Sequence, residues 1–312
     1  MNLAFVLFIK RIIAIIMSIM ATLGINPVKP ADPSSAEPSA DLSAPYLFDC
    51  EEAYHDYYFY FTEEEEREIR EEQPDSTWID EYVAARANVE QVVMSLGFKA
   101  SLYKNKTAAI ESVANSSQTV TVPEEINGYK VVVIKNLFSG DEDSGRYSVK
   151  KVILPNTVEY VDELAFEDCY SLKSVQIGER VKYLGSGAFR WCSLLASVTL
   201  PDPLTKLNSS LFSGCYALTT VNFGNHIESI GAWAFEDCLF LDNVVLPESV
   251  VSIDKECFIG CKNMKYIYIP ISVVEIDANA FAKCSKLTIH GEAGSYAETF
   301  AKQNGIPFVV GK

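Results

Sequence analysis

Histidine is scarce, with three residues in 312. His55, His226 and His290 stand in unrelated settings, none in register with a nucleophile, so a Cys–His or Ser–His–Asp active site has little to be built from. No H-E-x-x-H pair and no phosphate-cradling glycine loop occurs. Acidic runs at residues 49–52 and 63–66 lack the alternating D-x-D-x-D-G spacing that wraps a loop around calcium. Basic charge is also short: 26 Lys and Arg face 42 Asp and Glu, for a net −16. The excess is local. Residues 49–81 hold fourteen acids against Arg67 and Arg70, whereas from Lys135 onward 21 acids meet 16 bases. No basic stripe exists to neutralise phosphates, which excludes duplex nucleic acid and anionic membrane surfaces as partners. Nothing points to a metal or a cofactor.

The first 25 residues carry the apolar content that the linker behind them lacks. Residues 12–25 form an uncharged run behind Lys10 and Arg11, the n- and h-region pattern of a secretory signal. A single span over 3–25 would place both bases mid-membrane at roughly 2.5–3.5 kcal/mol each, so a signal peptide is preferred to an uncleaved anchor. Residues 26–45 are Pro-, Ala- and Ser-rich and read as a flexible linker. Residues 46–98 are expected to be an acidic helical cap. Thr62-x-x-Glu65 and Thr77-x-x-Asp80 resemble capping boxes. Trp78, Tyr82, Ala85, Val89, Val92 and Leu96 then recur at helical spacing and stop before Gly97. Two helices broken near Pro74 would shield the open end of the periodic region C-terminal to them; a solvated charged stalk is the alternative. An aromatic run, Tyr54, Tyr57, Tyr58, Phe59, Tyr60 and Phe61, would pack there or contact a partner.

From residue 99 to 291 the chain is periodic. Phe recurs at 166, 189, 212, 235, 258 and 281, always 23 apart, and Cys follows three residues later at 169, 192, 215, 238, 261 and 284. Leu172, Leu195, Leu218, Leu241, Met264 and Leu287 come three residues after each Cys. Alternating strands such as Val175-x-Ile177 and Val244-x-Leu246 follow, each ended by Gly or Pro. Four residues before each Phe stands Asp162, Gly185, Asn208, Gly231, Asp254 or Asp277, residues that accept positive φ or cap a helical turn. A longer unit headed by Phe138 holds an insertion at 141–146, and Val120-Thr121-Val122-Pro123 reads as the strand before it. A unit this short cannot enclose its own apolar face, so neighbours must stack into one solenoid. Residues 292–312 leave the repeat and read as a C-terminal cap, a helix over 296–303 followed by Pro307-Phe308-Val309.

The consensus L-x-x-V-x-L/I-P-x-x-V-x-x-I-G-x-x-A-F-x-x-C, with residues 244–261 as a specimen, resembles the 23-residue leucine-rich repeats of BspA-like surface proteins. The tail GEAGSYAETFAKQNGIPF resembles the usual ending of such arrays. That resemblance implies an α/β repeat solenoid, a right-handed superhelix with a parallel sheet on one side. It also implies secretion or surface display and a role in adhesion or extracellular binding.

Within this frame the pentapeptide AFEDC, present at 165–169 and 234–238, splits into two roles. Its Phe and Cys belong to a core ladder: Phe166, Cys169, Phe189, Cys192, Phe212, Cys215, Phe235, Cys238, Phe258, Cys261, Phe281 and Cys284. Buried Cys acts there as a small hydrophobe, and a uniform stack gives no cysteine a unique disulfide partner. Its Glu and Asp give way to Arg190-Trp191, Ser213-Gly214, Ile259-Gly260 and Ala282-Lys283 elsewhere, which places them in solvent. Cys50 alone is a candidate reactive thiol. A binding face is expected where strand side chains alternate away from the core: Gln176, Thr199, Asn222 and Asn243, with Tyr266 and Tyr268 at the C-terminal end, Tyr being favoured at interfaces. The sequence thus reads as a secreted or cell-surface, non-enzymatic protein- or glycan-binding module. An effector or enzymatic activity in 46–100, displayed on an inert solenoid, is the alternative, and membrane contact is limited to an uncleaved N-terminal segment.

Overall fold

Repetition of one apolar pattern builds one wall after another. The structure, a computed structural model, describes residues 89–113, 117–135, 137–138 and 147–312. In chain order it opens with β1 (Val89–Ser95), β2 (Phe98–Tyr103) and β3 (Thr107–Val113), then β4 (Thr119–Thr121), β5 (Glu125–Ile126) and β6 (Tyr129–Ile134). Each later unit adds a three-residue strand and a two-residue strand: β7 (Lys151–Ile153) and β8 (Tyr160–Val161), β9 (Ser174–Gln176) and β10 (Tyr183–Leu184), β11 (Ser197–Thr199) and β12 (Lys206–Leu207). The series continues with β13 (Thr220–Asn222) and β14 (Ser229–Ile230), β15 (Asn243–Val245) and β16 (Ser252–Ile253), β17 (Tyr266–Tyr268) and β18 (Glu275–Ile276). β19 (Thr288–Gly291), helix α1 (Tyr296–Asn304) and β20 (Phe308–Val310) complete it.

Equivalent strands pair in parallel with an offset of 23. On the first face Lys151 pairs with Ser174, Ser197 with Thr220 and Asn243 with Tyr266. On the second Tyr160 pairs with Tyr183 and Ser229 with Ser252. Each face is interrupted once, between β13 and β15 on the first and between β10 and β12 on the second. The described residues therefore form a β-solenoid with parallel sheets on two faces, not one, and α1 is the one helix among them. The first turn is longer: Thr119 pairs with Lys151 at an offset of 32, part of the excess being the β5–β6 hairpin around Asn127-Gly128.

The core runs down the axis. Val158, Val181, Leu204, Ile227, Val250 and Val273 lie buried beside Leu172, Leu195, Leu218, Leu241, Met264 and Leu287. The Phe side chains form a continuous stack. Centroids from Phe166 to Phe281 lie 5.1–5.6 Å apart, with interplanar angles of 5–17°. Parallel offset rings at this distance gain about 0.5–1.5 kcal/mol beyond their burial. The stack ends where the ring orientation changes, at Phe138 (tilted by 58°) and at Phe300 of α1 (67°).

The N-terminal end departs from the helical expectation. Val89, Val92 and Leu96, assigned by spacing to a helix, lie in or just after β1, which pairs antiparallel with β2. Leu96 (φ 54°) and Gly97 (φ 80°) are the two central residues of the hairpin, with Ser95 facing Phe98. Two positive φ values suit the twist of a tight hairpin, so Gly97 is a turn residue and not a helix stop. β2 and β3 bury Phe98, Ala100, Leu102, Ala108, Ile110 and Val113, and β3 continues in parallel onto β6. The end of the core is thus covered by a β-meander. The expected signal or anchor (1–25), linker (26–45), Cys50, the aromatic run and the helices up to residue 88 lie outside the described residues. So does the insertion at 141–146.

The C-terminal expectation and the structure agree on a helix. Ser295 caps α1, its Oγ accepting the Glu298 N–H, and Gly305 closes the helix in the left-handed conformation (φ 66°). β20 then adds in parallel to β19. Among the described residues no helix is long and apolar enough to cross a membrane.

Candidate functional site

Between the second strand of one unit and the first of the next, the chain makes the tight turn that carries the Phe and Cys. Here sequence pattern and backbone conformation meet most closely. Phe166, Phe189, Phe212, Phe235 and Phe258 each donate their N–H to the carbonyl one residue before the next Phe, at 2.8–3.0 Å. The residues two positions after donate likewise: Asp168 to Arg190, Trp191 to Ser213, Gly214 to Glu236, Asp237 to Ile259 and Gly260 to Ala282. The turns therefore form a third ladder, and its geometry requires left-handed residues. Two positions before the Phe, Leu164, Gly187, Ser210, Trp233 and Glu256 have φ of 53–61°. Two positions after, Asp168, Trp191, Gly214, Asp237, Gly260 and Lys283 have φ of 52–73°.

This corrects the solvent assignment of the acids in AFEDC. The Asp occupies an obligatory left-handed slot, which Asp and Gly tolerate best, and Asp237 is only 5 % exposed. The Glu belongs to a cross-turn ladder. Arg190 Nε donates to Glu167 Oε1 at 2.8 Å, and Ser213 Oγ donates to Glu236 Oε2 at 2.8 Å. Burial pushes the Glu236 carboxyl above its ordinary value, against the Ser213 hydrogen bond, which lowers it, and with help from the charge of Glu256. Side chains in the left-handed slots lean onto the following turn, and glycine makes room for two of the largest. A Cβ on Gly187 would meet Leu164 at 2.6 Å, and one on Gly214 would meet the Trp191 ring at 2.5 Å. The corner residues before the Phe work differently from expectation. Gly185 has no positive φ; a Cβ there would lie 2.3 Å from the Glu163 amide nitrogen. Asn208, buried at the equivalent corner, donates Nδ2–H to the Leu184 carbonyl at 2.7 Å.

The cysteines are more than filler. Five thiols of the repeat slot point at the Phe carbonyl of the preceding turn: Cys192 to Phe166, Cys215 to Phe189, Cys238 to Phe212, Cys261 to Phe235 and Cys284 to Phe258, at 3.1–3.4 Å. Burial raises the thiol pKa of Cys192, Cys215, Cys238, Cys257 and Cys261, so they stay protonated and able to donate. All seven described cysteines are free thiols. Among the described residues no cluster of His, Cys, Asp and Glu is placed to hold a metal.

Two surfaces present functional groups to solvent. On the first sheet face Gln176, Thr199, Asn222 and Asn243 are exposed, together with Ser174, Ser197 and Thr220, and Asn222 Nδ2 donates to Thr199 Oγ1 at 3.1 Å. The tyrosines at the C-terminal end are less available. Tyr268 is 5 % exposed, its ring under the Lys312 ammonium at 4.6 Å, and Tyr266 is half-buried against His290, centroids 4.3 Å apart. The second surface is the turn face. Trp191 lies against Gly214 with Tyr216 at its edge (5.7 Å, 77°). Two turns on, Trp233 donates Nε1–H to Glu256 Oε2 at 2.8 Å, with the Lys255 ammonium 4.9 Å from its ring. Ser213, on the turn between them, donates to Glu236 on the turn that carries Trp233. Sequence reasoning passed over this surface. The signal was there: two of the chain's three tryptophans occupy slots flanking the repeated Phe, two units apart.

The repeat has a recognisable counterpart. Residues 144–258 match the model of the BspA type Leucine rich repeat region, in six copies. These are BspA-type leucine rich repeats. Among solved structures, a T. pallidum Leucine Rich Repeat protein (TpLRR) is 23 % identical, with 70 % of this chain and 98 % of that one covered and a TM-score of 0.58. A leucine rich cell surface protein from Faecalibacterium prausnitzii is 18 % identical over 72 % of this chain and all of its own, with a TM-score of 0.39. A leucine-rich repeat protein from Bacteroides capillosus is 25 % identical over 43 % of this chain and 98 % of its own, with a TM-score of 0.36. The T. pallidum likeness places the two chains in the same fold. No curated protein matches the sequence. The match covers a little over a third of the chain and is consistent with a repeat scaffold there.

Proposed function

We propose that the protein is a non-catalytic binding or adhesion module, secreted or held at the cell surface, which engages an extracellular protein or glycan. One observation carries this reading: the exposed, uncharged ladder of Ser174, Gln176, Ser197, Thr199, Thr220, Asn222 and Asn243 on the first sheet face. Parallel strands β9, β11 and β13 hold their groups at a spacing of about 4.8 Å on a rigid wall, with Asn243 on β15 beyond the break in the sheet, and rigid donors and acceptors lose little entropy on binding. Display outside the cell is supported by the apolar run behind Lys10 and Arg11. The chemistry of the described residues favours binding over catalysis, since the buried thiols are protonated and inaccessible.

The test is a binding screen of the full chain against extracellular matrix proteins and a glycan array, repeated with Thr199→Arg/Asn222→Arg. These exposed positions tolerate the change in folding, so an unchanged thermal melt with lost binding supports the sheet face. Retained binding by the double variant removes that face as the site. An isolated fragment 46–100 that reproduces the activity would transfer the function to the N-terminal region.

A further inference from the structure

We infer that the outer face of the N-terminal sheet, around Tyr103, is a docking surface for the chain's own residues 75–88. This is a different place from the open end of the core, which β2 and β3 already close. It does not depend on ligand binding at the first sheet face.

Alternation along β2 and β3 sends Phe98, Ala100, Leu102, Ala108 and Ile110 into the core. Lys99, Ser101, Tyr103, Ala109 and Glu111 are left on the other side. An antiparallel sheet that closes a core is expected to show that other side to water. Here it does not. Ser101 pairs with Ala109, Ala109 with Val133 and Val133 with Tyr160, a row straight across the outer face. Ala109 is fully buried, Ser101 and Tyr103 are 2 % exposed and Val133 is 4 % exposed. Tyr103, Ala109 and Val133 form a small apolar cluster apart from the main core. The half-buried apolar side chains packed against it, Val132 and Tyr160, come from β6 and β8 of the same sheet. Neighbours in one sheet flank a tyrosine ring but do not roof it. The cover has to come from elsewhere, and it lies over β2, β3 and β6, because Val92 and Met94 on β1 stay exposed.

Composition selects the occupant. Of the chain outside the described residues, the internal pieces 114–116, 136 and 139–146 contain nothing apolar larger than Ala. Residues 75–88 hold Trp78, Ile79, Tyr82, Val83 and three alanines. They are also tethered in place, since Val89, the next residue, pairs with Tyr103 itself. The face from β2 to β8 spans three strand spacings, about 14 Å. Fourteen residues reach about 21 Å even at a rise of about 1.5 Å each.

Charge favours the same occupant. Lys99 and Lys135 share Glu111 at 3.5 and 2.7 Å, and Lys130, Arg180 and Lys182 share Glu159 at 3.1–3.7 Å. Lys106 and Glu90 meet at the Tyr129 hydroxyl, and Glu125 stands across from Lys130. These groups are six bases against four acids, so the face is net positive. Residues 63–88 carry ten acids against Arg67, Arg70 and Arg86, a net −7. Complementary charge fixes orientation, while the apolar residues supply the burial. A second copy docked face to face would set lysines against lysines.

The experiment is hydroxyl-radical footprinting of the full chain, with oxidation of each tyrosine read by peptide mass spectrometry. Tyr103 should be protected, and Tyr147, an exposed ring, should not. Trp78→Ala/Tyr82→Ala should raise oxidation of Tyr103 several-fold and leave Tyr147 unchanged. Carbodiimide coupling of the wild-type monomer is the second measurement, and it decides should the double variant lose its circular dichroism spectrum. Zero-length links should join Lys99, Lys130 or Lys182 to acids within 63–81 of the same chain. Free oxidation of Tyr103 in the wild-type chain would overturn the inference and leave the face to a partner in trans. Unchanged protection in a folded double variant, or no link to 63–81, would overturn it as well. Links formed only between chains would replace residues 75–88 of the same chain with those of a second copy, and so overturn it too.

Discussion

A buried cysteine with a hydrogen-bond partner behaves differently from a buried cysteine that fills space, and the repeat offers a clean case in Cys215. Its thiol donates to the Phe189 carbonyl at 3.2 Å inside a core from which water is excluded. Replacement by Ala removes both volume and donor and should cost about 1–3 kcal/mol. Replacement by Ser keeps a donor of similar size, so Cys215→Ser should be less destabilising than Cys215→Ala in a denaturant melt. The reverse order would show the thiol to be filler. Glu236 is the second residue-scale test. Its folded-state pKa is raised by burial, so the folded state holds its proton more tightly than the unfolded chain does. Stability therefore falls as pH rises through a window starting near the ordinary carboxylate value of 4.5 and reaching upward. Glu236→Gln should flatten that part of the stability–pH curve; a curve of unchanged slope would remove Glu236 as its cause. At this scale the Phe and Cys positions were legible because an invariant spacing of 23 admits one reading. The left-handed slots were not, because Asp, Trp, Gly, Leu, Ser and Lys share no side-chain property, only a backbone conformation.

Elements at the two ends close the same problem with different means. An open stack of rings must be covered, and α1 covers the C-terminal one by turning Phe300 edge-on to Phe281 at 5.9 Å. Phe300→Ala should cost about 3–5 kcal/mol as a core truncation, and hydrogen exchange should accelerate first in β18, β19 and β20, which touch α1. Uniform acceleration along the solenoid would show that the ends are not separately held. This helix was readable from Ser295, Glu298 and Gly305, whose local chemistry fixes both ends. The N-terminal cover was misread because Val89, Val92 and Leu96 fit helical spacing as well as they fit a strand running into a hairpin. What decides between them is not local: β1 pairs with β2 out to Val89 with Tyr103, 14 residues away in sequence, and β2 is held in turn by β3 through pairs such as Phe98 with Val113. Gly97 serves either reading, as a stop or as a turn.

For the whole molecule, stability should be carried by contacts between neighbouring turns, since every ladder pairs a turn only with the ones before and after it. Length is then a free variable as long as the period is kept. Duplicating residues 243–265 inserts one unit, β15 and β16 with their turn, beside strands that pair at an offset of 23 on both faces. The inserted Phe258 ring joins the stack between neighbours 5.1 and 5.4 Å apart, and the inserted Cys261 finds a Phe carbonyl one turn back as every other does. Each added turn contributes its own folding term and one more interface, so the lengthened chain should melt at or above the temperature of the original. Removing one residue from the inserted unit is the necessary control. Because strand side chains alternate between the two faces, a shift of one residue turns every inward position of the strand outward. It would also move the left-handed slots off the residues that tolerate them. The 22-residue insertion should therefore melt lower than the original chain, while the 23-residue insertion should not. Equal melting of the two would mean that the ladders tolerate slippage, and that the repeat spacing, the strongest signal in the sequence, is not what fixes the register.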